Sequence, residues 1–259
     1  MIEPAAPSGT TTRPTLSRWK AAGIHLLLSA AIGGALIAVM LLVWYPWPLF
    51  EVAGGSGLIM ILLGVDVVLG PLITLVVFRA GKKGLKIDLL FIAAVQLAAL
   101  AYGVHAVFAV RPAYMAFTVD RFELVAAIDL DPADLEQVRD PRFKRPPVWG
   151  PDYVAASMPA DAAGRRKILE SGLAGKDLNL FPQHYVPFEH QAADALKRSR
   201  PASILLQRNP AAMKSYLAAA GRTPESLRFL PLRARVADAA VLLDATSGRP
   251  LKILQIDPW

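Results

Sequence analysis

Residues 21–45 read AAGIHLLLSAAIGGALIAVMLLVWY, an apolar run without Asp, Glu, Lys or Arg. About 20 such residues cross the hydrocarbon core of a bilayer as an α-helix. The apolar part of a cleaved signal peptide is only about 7–15 residues long, so this run predicts a spanning helix that stays in the mature protein. Aromatic residues typical of membrane interfaces flank it, namely Trp19, Trp44, Tyr45 and Trp47.

Two further apolar runs follow, at about residues 58–78 and 89–110. Together with the first run they predict a three-helix transmembrane bundle, which makes 18–110 a membrane domain. The preceding stretch, 1–17, is rich in Pro, Ser and Thr and cannot bury a core. It is therefore predicted to be a disordered cytoplasmic tail.

Basic residues set the predicted orientation of these helices. The segment between the first two runs has Glu51 as its only charged residue. Basic residues precede the first run and separate the second from the third: Arg13, Arg18, Lys20, Arg79, Lys82, Lys83 and Lys86. Because Lys and Arg are retained on the cytoplasmic side, the N-terminus is predicted to be cytoplasmic and residues 111–259 to form an external domain.

The composition of the two parts agrees with this division. The chain of 259 residues is 54% hydrophobic with a mean hydropathy of +0.39, whereas about 45–50% is usual for soluble chains. Residues 1–110 carry 7 basic and 4 acidic side chains, and residues 111–259 carry 21 and 17. The net charge is +7 but no long basic run occurs, which argues against nucleic-acid binding. The absence of cysteine excludes disulfides and thiolate metal sites, and no cofactor is expected.

Asp66 is the most costly residue for the predicted bundle. A charged Asp at the centre of a spanning helix costs about 2.5–3.5 kcal/mol on insertion scales. By residue count, Tyr102 lies at a similar depth and His105 slightly shallower, whereas His25 lies near the opposite face. The intramembrane polar and structural residues are therefore predicted to be Asp66, Gly70, Pro71, Thr74, Tyr102 and His105.

Three roles are open for Asp66. It clamps the helices through buried hydrogen bonds, relays a proton or an ion, or contacts another membrane helix. Pro71 cannot donate to the carbonyl of Val67 and predicts a kink. Ser29 and Gly33 form a small-xxx-small pair, which lets helix backbones approach closely.

The external part, 111–259, predicts an α+β domain. Residues 115–130 are rich in β-branched and aromatic side chains and predict one or two strands, and DPRFKRPPVWGP (140–151) predicts irregular structure. Helices are predicted at 132–139, 160–170, 188–198 and 210–220, and further strands at 228–236, 240–244 and 250–256. Strands at both ends with helices between them indicate an external α+β domain with an antiparallel sheet.

Catalytic signatures are missing from the sequence. It contains no GxSxG, P-loop, GxGxxG or HExxH motif, and His184 and His190 fit no common metal-ligand spacing. No catalytic, cofactor-binding or metal site is therefore assigned. Four residues of the irregular stretch are candidate contacts for an acidic partner or lipid headgroups: Arg142, Phe143, Lys144 and Arg145.

Four stretches together resemble the TfpX/TfpZ family of type IV pilin accessory proteins. They are WYPWPLFEVAGG (44–55), GVDVVLGPLITLVVF (64–78), RPAYMAFTVDRFELV (111–125) and LLDATSGRPLKILQIDPW (242–259). The spacing of Asp66, Gly70 and Pro71 and the segment TVDRFELV are the more specific parts, whereas residues 140–225 match only loosely. The resemblance covers most of residues 18–259.

The resemblance implies a multi-pass protein of a bacterial inner membrane with its C-terminal domain in the periplasm. It implies an accessory factor or chaperone that assists the stability or assembly of a type IV pilin, with the major pilin and the lipid bilayer as partners. It carries over no catalytic residue. A membrane-anchored periplasmic enzyme that modifies pilin or envelope components is the alternative, against which stands the lack of a clustered nucleophile, base or metal set.

The predicted topology is testable with a reporter that is active only in the periplasm. A fusion after Trp259 should be active and a fusion after Lys83 should be silent, because the basic loop is held in the cytoplasm. Activity of the Lys83 fusion would contradict the three-span prediction.

Overall fold

The computed structural model describes residues 17–259, so the tail predicted at 1–17 lies outside the described residues apart from Ser17. The first half of the described chain is helical. Its helices are α1 (Arg18–Val39), which continues as a π-helical turn (Met40–Trp44), α2 (Leu49–Val52), α3 (Gly55–Leu63), a second π-helical segment (Gly64–Leu69), α4 (Gly70–Val77) and α5 (Leu85–Ala109).

Two helices are long and apolar enough to cross a membrane, Arg18–Trp44 with 27 residues and Leu85–Ala109 with 25. In their most apolar stretches only 11% and 0% of the residues are buried, so these helices expose their apolar side chains as core helices of a soluble protein do not. Asp66–Val77 is a shorter apolar helix. The three-helix bundle therefore stays a prediction.

The second half of the chain alternates strands with short helices. The elements are β1 (Pro112–Phe117), β2 (Phe122–Ala126), α6 (Pro132–Glu136), β3 (Asp152–Ala156), α7 (Ala162–Leu173), β4 (Tyr185–Pro187), α8 (Ala192–Arg198), β5 (Arg200–Pro201), α9 (Ser203–Arg208), α10 (Pro210–Ala220), β6 (Leu227–Arg233), β7 (Ala239–Asp244) and β8 (Pro250–Leu254). Short 3₁₀ turns lie at Ala127–Asp129, Pro141–Phe143, Leu178–Leu180, Pro182–His184, Phe188–Gln191 and Pro224–Ser226.

All eight strands belong to one mixed sheet in the order β4-β3-β1-β2-β6-β7-β8, with β5 paired to β6. The α+β class is as predicted, but the purely antiparallel sheet is wrong, since β3 pairs parallel to β1 and β2 pairs parallel to β6. The pair of β3 with β1 was missed because the strand at Asp152–Ala156 follows a proline-rich stretch and was not predicted. The pair of β2 with β6 joins strands about 110 residues apart, whose direction no local signal sets. The long connections before β3 and β6 return the chain to the end of the sheet where the partner strand begins.

Local signals account for the elements that the sequence located well. The α10 helix begins after Asn209, whose side chain accepts a hydrogen bond from Ala212 N–H at 3.1 Å, and ends at Gly221 with φ of 59°. The α7 helix is capped by Asp161, which accepts from Gly164 N–H at 2.7 Å. Capping chemistry thus fixes the bounds of both helices.

The described chain falls into two compact units. One contains residues up to Ala35 together with Met60–Gly103, and the other contains Leu36–Ile59 together with Val104–Trp259. The second unit therefore includes more of the chain than the sequence division at Arg111 indicates.

The segment after the first long helix forms part of the core of the second unit. Leu49 and Val52 of α2 are 1% and 0% exposed, and they belong to the apolar cluster of Phe117, Phe122 and Leu232 on the sheet. Because side chains alternate between the faces of a strand, Tyr114 and Ala116 of β1 point away from Phe117 and pack into a second cluster on the other face. Both faces of the sheet are thus buried, and α2 covers part of one.

Polar and aromatic contacts hold the same segment in place. The amide of Val236 donates to the carbonyl of Val52 at 3.0 Å. The hydroxyl of Tyr45 donates to the carbonyl of Val107 at 3.1 Å, and the Trp44 ring meets the Phe108 ring edge-on at 5.3 Å. A stretch that resembles a surface loop is therefore an integral part of the domain.

Replacing Leu49 by Ala should lower the free energy of unfolding of the second unit by about 2–5 kcal/mol, because it removes a fully buried side chain. Leu173→Ala is the matched control, since Leu173 is 93% exposed and should change stability by less than about 0.5 kcal/mol. Proteolysis of the detergent-solubilised protein at increasing urea concentration measures both. Equal sensitivity of the two variants would show that α2 does not belong to the core.

Candidate functional site

The first candidate site is a polar cluster in the first unit. Asp66 lies in the π-helical segment before α4 and is 9% exposed. It lines a cavity of about 200 Å³ together with the polar side chains of His25, Ser29 and Gln96 and several apolar residues of α1 and α5. Single π-helical turns within α-helices are frequent at functional sites, and this one contains Asp66.

The side chain of Gln96 on α5 packs against the backbone of α4 at Gly70. Its Nε2 atom is buried and makes no hydrogen bond among the described residues. A Cβ placed on Gly70 would lie 1.8 Å from that nitrogen, so any larger residue at position 70 would displace the amide. Gly70 therefore provides the space in which the Gln96 amide sits.

The cluster extends from Asp66 to a histidine on α1. The Nδ1 atom of His25 lies 2.6 Å from Oγ1 of Thr74, which is 3% exposed. Thr74 lies eight residues beyond Asp66, about 12 Å along the helix. His25, which the sequence placed near the opposite face of the membrane, nevertheless lines the same cavity as Asp66.

Tyr102 and His105 do not join the cluster. The side chain of Tyr102 is 75% exposed, and His105 is also exposed. Six residues separate Gln96 from Tyr102, which at about 100° per residue turns the tyrosine about 120° away from the face that carries the amide. The predicted residues Gly70, Pro71 and Thr74 are buried, as Asp66 is.

Chemically, the cluster combines a carboxyl, an amide, an imidazole and two hydroxyls among apolar walls. A buried amide nitrogen without a partner loses free energy comparable to a hydrogen bond, so the arrangement favours a bound polar group or water over an empty cavity. The sequence reasoning missed Gln96, although a single amide within a long apolar run is itself a signal of an inward-facing position.

The second candidate site is a groove on the domain, which we name the Leu173 groove. Its volume is about 490 Å³. Four apolar side chains that are exposed to solvent form its rim: Val119, Met158, Leu169 and Leu173. Helix α7 turns Ile168 into the core at 5% exposure and leaves Leu169 and Leu173 outside, and contiguous exposed apolar side chains of this kind mark interaction sites.

Charged side chains form the base of the Leu173 groove. Glu123 lies opposite Arg233 in the parallel pairing of β2 with β6, and its carboxylate is 3.9 Å from Nε of Arg121. Burial raises the pKa of Glu123 from 4.5 to about 7, against the opposing effect of the two arginines. The base of the groove therefore becomes more negative as the pH rises through neutrality.

The basic stretch predicted as a contact divides into exposed and buried parts. Arg142, Lys144 and Arg145 are exposed. Phe143 is 6% exposed, and its ring packs edge-on against Tyr114, so it belongs to the core and offers no surface to a partner. Its alternation with basic residues in the sequence gave no sign of this burial.

The acidic residues near β2 have structural partners. Asp129 pairs with Arg235 at 3.0 Å, Asp131 accepts from the first turn of α6 at 2.9 Å, and the buried Asp134 pairs with Lys176. No group of three His, Cys, Asp or Glu side chains suited to a metal ion occurs within residues 17–259.

Asp66→Asn should be milder than Asp66→Leu, because Asn keeps hydrogen-bonding capacity in the cavity whereas Leu removes it. The melting temperature of the detergent-purified protein is the measurement. Val68→Leu is the control, since Val68 is 54% exposed and lies two residues away. If Asn is as damaging as Leu while the control is neutral, ionisation of Asp66 is required and the relay role gains over the clamp.

Comparison with known proteins gives the family of the chain. A family model described as fimbrial assembly protein FimB matches residues 13–54. The fimbrial assembly protein of serogroup I from Dichelobacter nodosus is 30% identical over 219 residues, which covers 82% of this chain and 85% of that protein. Two more fimbrial assembly proteins of that organism match. The serogroup E1 protein is 29% identical over 219 residues, which covers 82% of this chain and 85% of that protein. The protein of serogroups C1 and C2 is 33% identical over 113 residues, which covers 43% of this chain and 86% of that protein. No solved structure matches the chain. Since the similarity to the serogroup I protein extends through both the helical part and the domain, the chain belongs to the FimB family of fimbrial assembly proteins.

Proposed function

We propose that this protein is a membrane-anchored, non-catalytic factor in the biogenesis of fimbriae. The observation that carries the proposal is the similarity to fimbrial assembly proteins over 82% of the chain. If the two proteins shared only a membrane anchor, their similarity would be confined to the helical part. It also includes the domain, on which a partner would bind.

The membrane anchor is supported by the exposure of the long apolar helices. Leu42 at the end of the first long helix is 80% exposed and Leu90 on α5 is 70% exposed, and apolar surfaces of this extent suit lipid rather than water. The basic loop before α5 supports a three-span topology with a cytoplasmic N-terminus and an external domain.

The Leu173 groove supports the accessory role. A fimbrial subunit that has not yet been assembled has apolar surfaces that polymerisation will bury, and an apolar rim with a charged base suits transient contact with such a surface. The resemblance to the TfpX/TfpZ accessory proteins supports a type IV pilin as that subunit. In this proposal, the domain binds the subunit outside the membrane while the helices keep it close to the bilayer.

Deleting the gene should reduce surface fimbriae without changing the messenger level of the fimbrial subunit. Re-expression of the native protein should restore them, whereas the double variant Leu169→Ser and Leu173→Ser should not, because it removes the apolar rim of the groove. Fimbriae are counted by electron microscopy, and the level of each variant in the membrane is checked by immunoblot.

Ile128→Ser is the matched control for the groove variant. Ile128 is 59% exposed and does not line the groove, so this variant should restore fimbriae fully. Full restoration by the groove variant would move the contact elsewhere on the protein. Unchanged fimbriation after deletion would reject the accessory role itself.

A further inference from the structure

We propose that residues 144–150 form an interfacial anchor of the domain, in which Trp149 enters the membrane interface while Lys144 and Arg145 bind anionic phospholipid headgroups. The inference rests on the proposed membrane topology and goes beyond it, because it assigns a lipid-binding surface to the domain itself. We name residues 144–150 the interfacial loop.

A buried arginine fixes one side of the interfacial loop to the end of α5. Arg111 is 5% exposed. Its guanidinium donates to the carbonyls of Phe108 at 2.7 Å, Pro147 at 3.1 Å and Pro146 at 3.4 Å. Its central carbon also lies 3.7 Å from the centre of the Phe108 ring. One side chain thus joins the backbone of the loop to the last turn of α5, which is long and apolar enough to span a membrane.

A glycine brings the other side of the interfacial loop to the end of the first helix. Gly150 has a φ of 69°, and a Cβ at this position would lie 3.3 Å from the carbonyl oxygen of Val43. Consecutive Cα atoms are about 3.8 Å apart, so Trp149 lies next to the last turn of that helix. The hydroxyl of Tyr114 donates to the carbonyl of Arg145 at 3.3 Å, which fixes the loop at a third point.

The fixed loop exposes apolar side chains where a membrane surface is expected. Trp149 is 80% exposed and Val148 is 46% exposed, although the backbone beside them is firmly held. Trp47, which follows the first helix, is 62% exposed. An indole placed at the ends of spanning helices combines an apolar ring with an N–H donor, which suits the headgroup region.

The charges of the interfacial loop favour an anionic ligand. Lys144 and Arg145 are exposed, and neither forms an ion pair among the described residues. Arg142, by contrast, is paired with Asp140 at 2.6 Å. Two free cations beside an exposed tryptophan, all held at the ends of apolar helices, fit phospholipid headgroups better than a protein, because the loop is tied to the boundary of the bilayer.

The depth of the loop is testable by spin labelling, since the chain has no cysteine and each introduced cysteine is labelled alone. Full-length protein carrying Trp149→Cys is placed in nanodiscs that contain phosphatidylglycerol. Its nitroxide is expected to be protected from a water-soluble nickel chelate and accessible to oxygen. Leu173→Cys on the domain surface should show the reverse, and Leu42→Cys on the first helix should be protected.

The Leu42→Cys label separates this inference from the topology on which it rests. If the label at position 42 is open to the chelate, the helix is not in the membrane and the proposed anchoring fails. If position 42 is protected while position 149 is as open as position 173, the topology stands and the interfacial anchor is overturned.

Lipid selectivity is tested with the tryptophan itself. The fluorescence of Trp149 is the component that is lost in the Trp149→Phe variant. Brominated phosphatidylglycerol should quench this component more strongly than brominated phosphatidylcholine does at the same mole fraction. The double variant Lys144→Gln and Arg145→Gln should reduce this preference by up to about 25-fold, the product of about fivefold for each basic residue near the surface. Arg166→Gln with Lys167→Gln removes the same charges from exposed positions on α7 and should leave the preference unchanged. Equal quenching by both lipids, or quenching by neither because a protein covers the loop, would overturn the assignment.

Discussion

The burial of Leu49 and Val52 in the core of the domain is the interaction on which the rest of the structure depends. These residues follow the first long helix by only a few positions, so the end of that helix is fixed as soon as α2 packs on the sheet. The contact from Tyr45 to Val107 then fixes the end of α5 against the same segment. The ends of both long helices are thus packed into the same core as the sheet, so they belong to the second unit together with the domain.

The polar cluster in the helices depends on a different constraint, the apolar surroundings of its side chains. Asp66, Gln96 and His25 are tolerated among apolar helices only because they share one cavity, and Gly70 leaves room for the amide. The π-helical turn at Gly64–Leu69 precedes Pro71, which cannot donate a backbone hydrogen bond. The π-helical turn that precedes the proline thus also contains Asp66, so the irregular backbone and the carboxylate of the polar cluster occur in the same short segment.

Sequence reasoning succeeded where the determining signals are local. The bounds of α10 follow from Pro210 and Gly221 and were predicted residue by residue. It failed for the strand at Asp152–Ala156, whose conformation depends on pairing with a strand about forty positions earlier. Asp66, Gly70, Pro71 and Thr74 were singled out because polar or helix-breaking residues stand out in apolar runs, and all four are buried. The burial of Leu49, by contrast, depends on a core built from residues much later in the chain.

The family model matches the part of the chain that connects the first long helix to the core of the domain. The family model covers residues 13–54, which end just after the α2 helix. This region contains first an exposed apolar helix and then residues of a close-packed core. Its helix residues must stay apolar, and its core residues must keep their size and shape. The rim of the Leu173 groove faces solvent, where side chains can change without loss of the fold. In the proposed function, the rim is therefore the surface where substitutions alter partner contact at the least cost to the fold.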